Sequence, residues 1–123
     1  MAKRKILVID DEPSITRLLK FVLEKTGLYD VTGENESTKA LALIRSAVPD
    51  LLVLDMNMPG ISGVEIAEAV KTDPSLKKLQ IVFLTGNISD EEAEAGMVID
   101  GYPAIGKPIN MERLIERVGK SLS

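Results

Sequence analysis

Three runs of consecutive apolar residues, at 6–9, 51–54 and 81–84, alternate along the chain with longer stretches of helical periodicity. That alternation is the pattern of βα units and a parallel sheet. The runs are apolar at every position instead of every second one, so both faces need cover, which puts them at the sheet centre with helices on both sides. Pro13 suits a first helical turn, and Ile15, Leu18, Leu19 and Val22 follow the i, i+3, i+4, i+7 template until Gly27 supplies a stop. Ser37 is placed to cap a second helix carrying Leu41 and Ile44, and Ser62 with Glu65 forms a capping box ahead of Ile66, Ala67 and Val70. A fourth start is Ser89 with Glu92, where a weak apolar face and an internal Gly96 predict a short or mobile helix. Asn110 caps a fifth, with Met111, Leu114, Ile115 and Val118 as its buried stripe. Strands at 29–32, alternating and half-buried, and at 104–106, after a Pro103 suited to an edge or a strand start, complete five βα units. Right-handed crossovers then close an open, doubly wound α/β sheet that binds ligands beyond the carboxyl ends of its strands.

Composition removes most catalytic chemistry from this scaffold. With no cysteine and no histidine, thiolate chemistry, Ser-His-Asp triads and nitrogen- or sulfur-ligated metals are excluded, leaving carboxylate, hydroxyl, amine and hard cations. A net charge of -4 with mixed signs argues against nucleic acid as a direct partner. Apolar runs of at most four or five residues cannot cross a bilayer, so a soluble, cytoplasmic protein without membrane contact is expected. The basic cluster Lys3, Arg4, Lys5 reads as a solvated N-terminus rather than a targeting or phosphate-binding patch. No repeat or linker divides the chain, so one domain over 1–123 is expected.

The informative positions follow the central runs. Strand one ends in Asp10, Asp11 and Glu12, strand three in Asp55, strand four in Thr85 and strand five in Lys107, and a parallel sheet brings all of these to one edge. Carboxylates a few ångströms apart repel by about 4 kcal/mol per pair at an effective dielectric near 20, so the crowding needs a cation. An oxygen-only ligand set favours Mg²⁺, which retains waters and accepts phosphate oxygens. Thr85 and Lys107 would supply a hydroxyl and a point charge to phosphoryl oxygens, and Asp55 is the natural nucleophile. Singly, each residue has a plainer explanation: acidic groups at a helix N-terminus, a strand-end threonine, a surface lysine, an aspartate opening a turn before Pro59 and Gly60. Their joint placement carries the functional reading.

The segments at 5–12 (KILVIDDE), 55–63 (DMNMPGISG), 83–86 (FLTG) and 107–108 (KP) resemble, in order and across the whole chain, the signature blocks of receiver domains of two-component response regulators. The resemblance implies a flavodoxin-like strand order 2-1-3-4-5 and phosphorylation of Asp55 by the phosphohistidine of a sensor kinase or phosphotransferase. It implies Mg²⁺ held by Asp10, Asp11, Asp55 and the backbone carbonyl of Asn57. Thr85 would follow the phosphoryl group inward, Lys107 would pair with it, and the Lys107–Pro108 bond would be cis. Asn57 and Asn87 would tune the acyl phosphate lifetime, and the small Gly86 would leave the site open. One departure stands out: the switch aromatic expected three residues before the lysine is Ala104, with Tyr102 two positions earlier on the same strand face. Either Tyr102 takes over part of that role, or signalling relies on backbone shifts around Thr85, or Tyr102 is an ordinary edge-strand residue.

No segment follows the fifth helix, so a single-domain regulator or relay intermediate is expected, with a target docked on helix four, strand five and helix five; an excised domain is the other option. The chain's only expected catalysis is of its own phosphorylation and slow dephosphorylation. Two other classes remain. An aspartyl-nucleophile phosphatase would want a second aspartate where Asn57 stands, and a receiver-shaped interaction module would not need all five site side chains. Dinucleotide and P-loop binding fail, since neither glycine pattern is present.

Overall fold

The computed structural model describes residues 3–86, 98–99 and 101–123, so Asn87 and the helix expected from Ser89 lie outside the described residues. The strands are β1 (Arg4–Ile9), β2 (Tyr29–Glu34), β3 (Leu51–Asp55), β4 (Gln80–Thr85), β5 (Val98–Ile99) and β6 (Tyr102–Gly106). The helices are α1 (Pro13–Lys25), α2 (Ser37–Ala47), α3 (Gly63–Thr72) and α4 (Met111–Leu122), with a 3₁₀ turn at Pro74–Leu76. The sheet order is β2-β1-β3-β4-β6-β5. Among the described residues, β2, β1, β3, β4 and β6 run parallel, as the doubly wound reading requires, and β5 pairs antiparallel with β6.

The three apolar runs are the sheet centre, and their alternation divides the core in two. Leu7, Ile9, Leu52, Leu54, Ile81 and Phe83 face α2 and α3, while Ile6, Val8, Leu51, Val53, Val82 and Leu84 face α1 and α4. All twelve side chains are at most 2% exposed, each worth about 1.5–3 kcal/mol of transfer free energy. The fold is therefore held by a sheet sealed on both faces, and the strand ends are fixed relative to one another by its register.

Several local expectations need correction. The fifth parallel strand begins at Tyr102 rather than 104, and it is not an edge: Pro103 lies opposite Val98 of β5, a two-residue partner with few ladder bonds to lose. The core stripe of α1 is Thr16, Leu19 and Leu23, while Leu18 is 43% exposed. Thr16 can be buried because its Oγ1 donates to Pro13 O (3.1 Å) and accepts from Asn35 Nδ2 (3.0 Å). In α4, Leu114 and Val118 are fully buried but Ile115 lies at the margin. Lys3, Arg4 and Lys5 are exposed, as expected of a solvated segment. Arg4 pairs with Asp50 and donates to Leu122 O, and Lys5 N donates to Asp50 Oδ2, tying the start of β1 to β3 and α4.

Ser37 does not cap α2. It is the first residue of that helix, its backbone cap is Glu36 without a side-chain bond, and its hydroxyl points to the loop after β3. The Ser62 and Asn110 caps form as expected, each side chain accepting a backbone N–H three residues on, from Glu65 and Arg113. Gly27, at φ +80°, follows the end of α1.

Candidate functional site

Ile9 pairs with Leu54, so the next residue of each strand, Asp10 and Asp55, stand side by side. The sheet continues to hold the backbone past its formal ends: Asp10 N donates to Glu34 O (3.2 Å), Met56 N to Leu84 O (3.0 Å) and Lys107 N to Thr85 O (2.8 Å). Four strand termini thus present their side chains from fixed main chain. Asp10 and Asp55 are buried at 0% and 3% exposure, Thr85 is buried, and Asp11 is exposed at the rim.

Asp10, Asp11 and Asp55 each offer a carboxylate oxygen within 4.8 Å of the other two. Lys107 reaches in from β6, with Nζ 3.0 Å from Asp10 Oδ2, 3.4 Å from Asp55 Oδ2 and 3.9 Å from Glu12 Oε1. Backbone donors hold the remaining carboxylate oxygens: Glu12 N bonds Asp10 Oδ1 (2.9 Å) and Asn57 N bonds Asp55 Oδ1 (3.2 Å). Glu12, which the parallel sheet brings to the same edge as Lys107, comes near its ammonium through the turn after β1.

Burial is the first cause that pushes the Asp55 carboxyl above the usual aspartate range; the Asn57 N–H opposes it, the Asp10 charge adds to it, and Lys107 again opposes. For Lys107, burial alone would lower the ammonium, but the contact with Asp10 and the charge of Asp55 outweigh it and hold the group above the ordinary lysine value. The site is a buried carboxylate pair with one ammonium serving both.

A divalent cation fits this arrangement on the site's own chemistry. Asp10 Oδ2 is fully buried and accepts no hydrogen bond of good geometry, its compensation being the ion pair with Lys107. When ionised, the three clustered aspartates exceed Lys107 by two negative charges and the neighbouring Glu12 adds a third, an excess that favours a divalent cation. All the donors are oxygens, which suits a hard cation.

Gly63 fixes the floor of the site. A Cβ there would collide with the carbonyl oxygen of Asp55 and sit 2.8 Å from Met56 Cα, while Gly63 N donates to Met56 O (3.0 Å). Only glycine lets the start of α3 touch the backbone of the central aspartate.

Other expected residues fall into place less directly. Lys107–Pro108 is cis. A Cβ at Gly86 would meet nothing within 4 Å. Ala104 pairs with Phe83 in the ladder, and Tyr102 stands edge-on to the Phe83 ring, with centroids 6.0 Å apart and planes at 75°. Tyr102 thus shares the α2–α3 face with Ala104 and Phe83, the latter two residues before Thr85, and is not on an edge strand.

The comparisons agree with this geometry. The family described as response regulator receiver domain matches residues 6–119. Chemotaxis protein CheY of Pseudomonas aeruginosa is 32% identical over 94% of this chain and 94% of its own length. The phosphate regulon transcriptional regulatory protein PhoB of Rhizobium meliloti is 31% identical over 93% of this chain, which spans 50% of that relative. The solved structure of CheY4 from Vibrio cholerae superposes with a TM-score of 0.83 at 30% identity, covering 98% of this chain and 100% of that one. The chain belongs to the response regulator receiver domains, the phosphorylation-switched signalling domains of two-component systems.

Proposed function

We propose that Asp55 is the phosphoacceptor and that Asp10, Asp11, Asp55 and the carbonyl of Asn57 hold Mg²⁺ during transfer. The observation that carries this reading is the buried Asp10–Asp55 pair sharing one ammonium at 3.0 and 3.4 Å, beside a third carboxylate and open toward solvent at Asp11. Bound Mg²⁺ supplies charge neutralisation for the incoming phosphoryl oxygens. The chain's own groups do the positioning, which is most of the work in such a transfer.

The donor, as membership of the response regulator receiver family implies, is a phosphohistidine of a sensor kinase or phosphotransferase. A carboxylate oxygen of Asp55 attacks phosphorus, the P–N bond breaks, and the imidazole leaves. Lys107 pairs with the phosphoryl oxygens, and Thr85, buried at the end of β4, bonds one of them through its hydroxyl. Asn57, two residues past the phosphoacceptor in sequence, and Asn87, two past the threonine, tune the lifetime of the acyl phosphate, and the small Gly86 leaves the site open to a partner or water. Tyr102, anchored on Phe83, follows movement of β4 in place of the aromatic that Ala104 does not provide. A downstream protein reads the result on the surface that includes β6 and α4. Cytoplasmic residence suits such partners, and no helix among the described residues is long and apolar enough to cross a membrane.

Beryllofluoride, an analogue of the phosphoryl group, tests this assignment. It is expected to bind in the presence of Mg²⁺, with ¹⁹F resonances of the bound form that vanish with EDTA or in Asp55→Ala. Bound resonances that persist in Asp55→Ala would refute the assignment.

A further inference from the structure

The corner between β2 and α2 carries none of the site's carboxylates, yet it bonds both to the turn that holds Asp10 and Asp11 and to the loop that follows Asp55. On one side, Asn35 Nδ2 donates to the carbonyl of Asp10 at 2.9 Å, and Asp10 N donates to Glu34 O at 3.2 Å. On the other, the buried Ser37 hydroxyl donates to Pro59 O at 2.6 Å and accepts from Ile61 N at 3.0 Å. The corner is itself fixed: Glu34 Oε2 accepts from both Asn35 N (2.9 Å) and Glu36 N (3.0 Å). Gly60, between the two Ser37 partners, has φ +90°, and a Cβ there would lie 2.9 Å from the Ser37 hydroxyl. The loop is therefore shaped to receive that hydroxyl, two residues beyond Asn57.

We propose that this corner is a brace that sets the spacing between the Asp10–Asp11 turn and the loop of Asn57, with Asn35 and Ser37 as positioning residues for the cation. The proposal rests on the Mg²⁺ reading of the site. A small octahedral ion tolerates little error in its oxygen ligands, so groups that hold those ligands from behind contribute to affinity without touching it. Asn35 fixes the main chain from which Asp10 and Asp11 project. Ser37 fixes the loop that carries the Asn57 carbonyl. Because both belong to one rigid corner, the two halves of the site are referenced to each other and not only to the sheet.

The test is Mg²⁺ titration of the full chain by calorimetry, with thermal denaturation in EDTA alongside. Ser37→Ala, which loses the bonds to Pro59 O and Ile61 N, and Asn35→Ala, which loses those to Asp10 O and Thr16 Oγ1, are each expected to weaken Mg²⁺ binding roughly three- to tenfold, as lost positioning of one ligand loop implies. Ser37→Thr, which keeps the hydroxyl, restores binding. Ala40→Gly, in α2 but bonded to neither loop, lowers the melting temperature and leaves Mg²⁺ affinity unchanged. In EDTA, the Ile61 amide exchanges faster in Ser37→Ala than in the parent chain. Unchanged Mg²⁺ affinity in both folded alanine variants, or an equal loss in Ala40→Gly, overturns the brace while leaving the site reading intact. Failure of the parent chain to bind Mg²⁺ overturns both.

Discussion

Gly63→Ala is expected to remove about 3 kcal/mol of stability, the upper end for forcing a methyl group into a packed interior. The usual relief, rotation of a flexible side chain, is not open here, because the added Cβ meets the main chain of Asp55 and Met56. Relief requires α3 to move off β3, exposing Ile66, Ala67 and Val70, which it buries against the sheet. Thermal denaturation should show a melting temperature lower by roughly 10 °C or more for a domain of this size. Gly119→Ala is the matched control. It lies within α4, its Cβ would meet nothing within 4 Å, and the better helix propensity should raise stability by about 0.5–1 kcal/mol. A Gly63→Ala protein that melts with the parent chain would mean that α3 does not press on the aspartate's backbone.

Lys107→Met is expected to cost about 2–3 kcal/mol in EDTA at neutral pH, less than a fully buried pair would lose because the lysine side chain is 21% exposed. It leaves Asp10 and Asp55 facing each other without their shared counterion. Two dependences identify the cause. The folded-state pKa of Lys107 is raised, so its stabilisation is fully present below the ordinary lysine range and is lost only as pH rises through the raised value. The deficit of the variant should therefore be complete at pH 7 and shrink as pH rises through that value; on the acid side it shrinks as the Asp55 carboxyl, held above the ordinary aspartate range by burial, takes up its proton. Mg²⁺ should also raise the melting temperature of Lys107→Met more than that of the parent chain, since the ion then meets no competing ammonium. Urea denaturation across pH, with and without Mg²⁺, measures both; a deficit independent of pH and Mg²⁺ would point to lost packing of the lysine stem.

The parts of this molecule legible in its sequence are those fixed by one-dimensional rules. Unbroken apolar runs identify β1, β3 and β4, and parallel strands oblige the residues that follow them to share an edge, so Asp10, Asp55, Thr85 and Lys107 could be grouped before their distances were known. The caps at Ser62 and Asn110 are equally local. Ser37 shows where such rules stop: the residue type suits a cap, but its hydroxyl is taken by Pro59 and Ile61, more than twenty residues away. Thr16 joins the core stripe of α1 while Leu18 does not, because Asn35, from another element, satisfies the threonine hydroxyl. Periodicity locates a helix face only to within a residue, and β5, two residues long, has no pattern to detect. The 55–63 block places Gly63 at a fixed distance along the chain from Asp55, but the contact that demands a glycine there follows from how α3 enters the sheet edge.

Transfer of a phosphoryl group to Asp55 is observed directly by mass spectrometry of the intact chain after incubation with acetyl phosphate. The expected result is gain of a single phosphoryl group that requires Mg²⁺, maps to Asp55, and is lost on standing or in Asp55→Asn. Phosphorylation at another residue, or none in the presence of Mg²⁺ under conditions where the chain is folded, would contradict it.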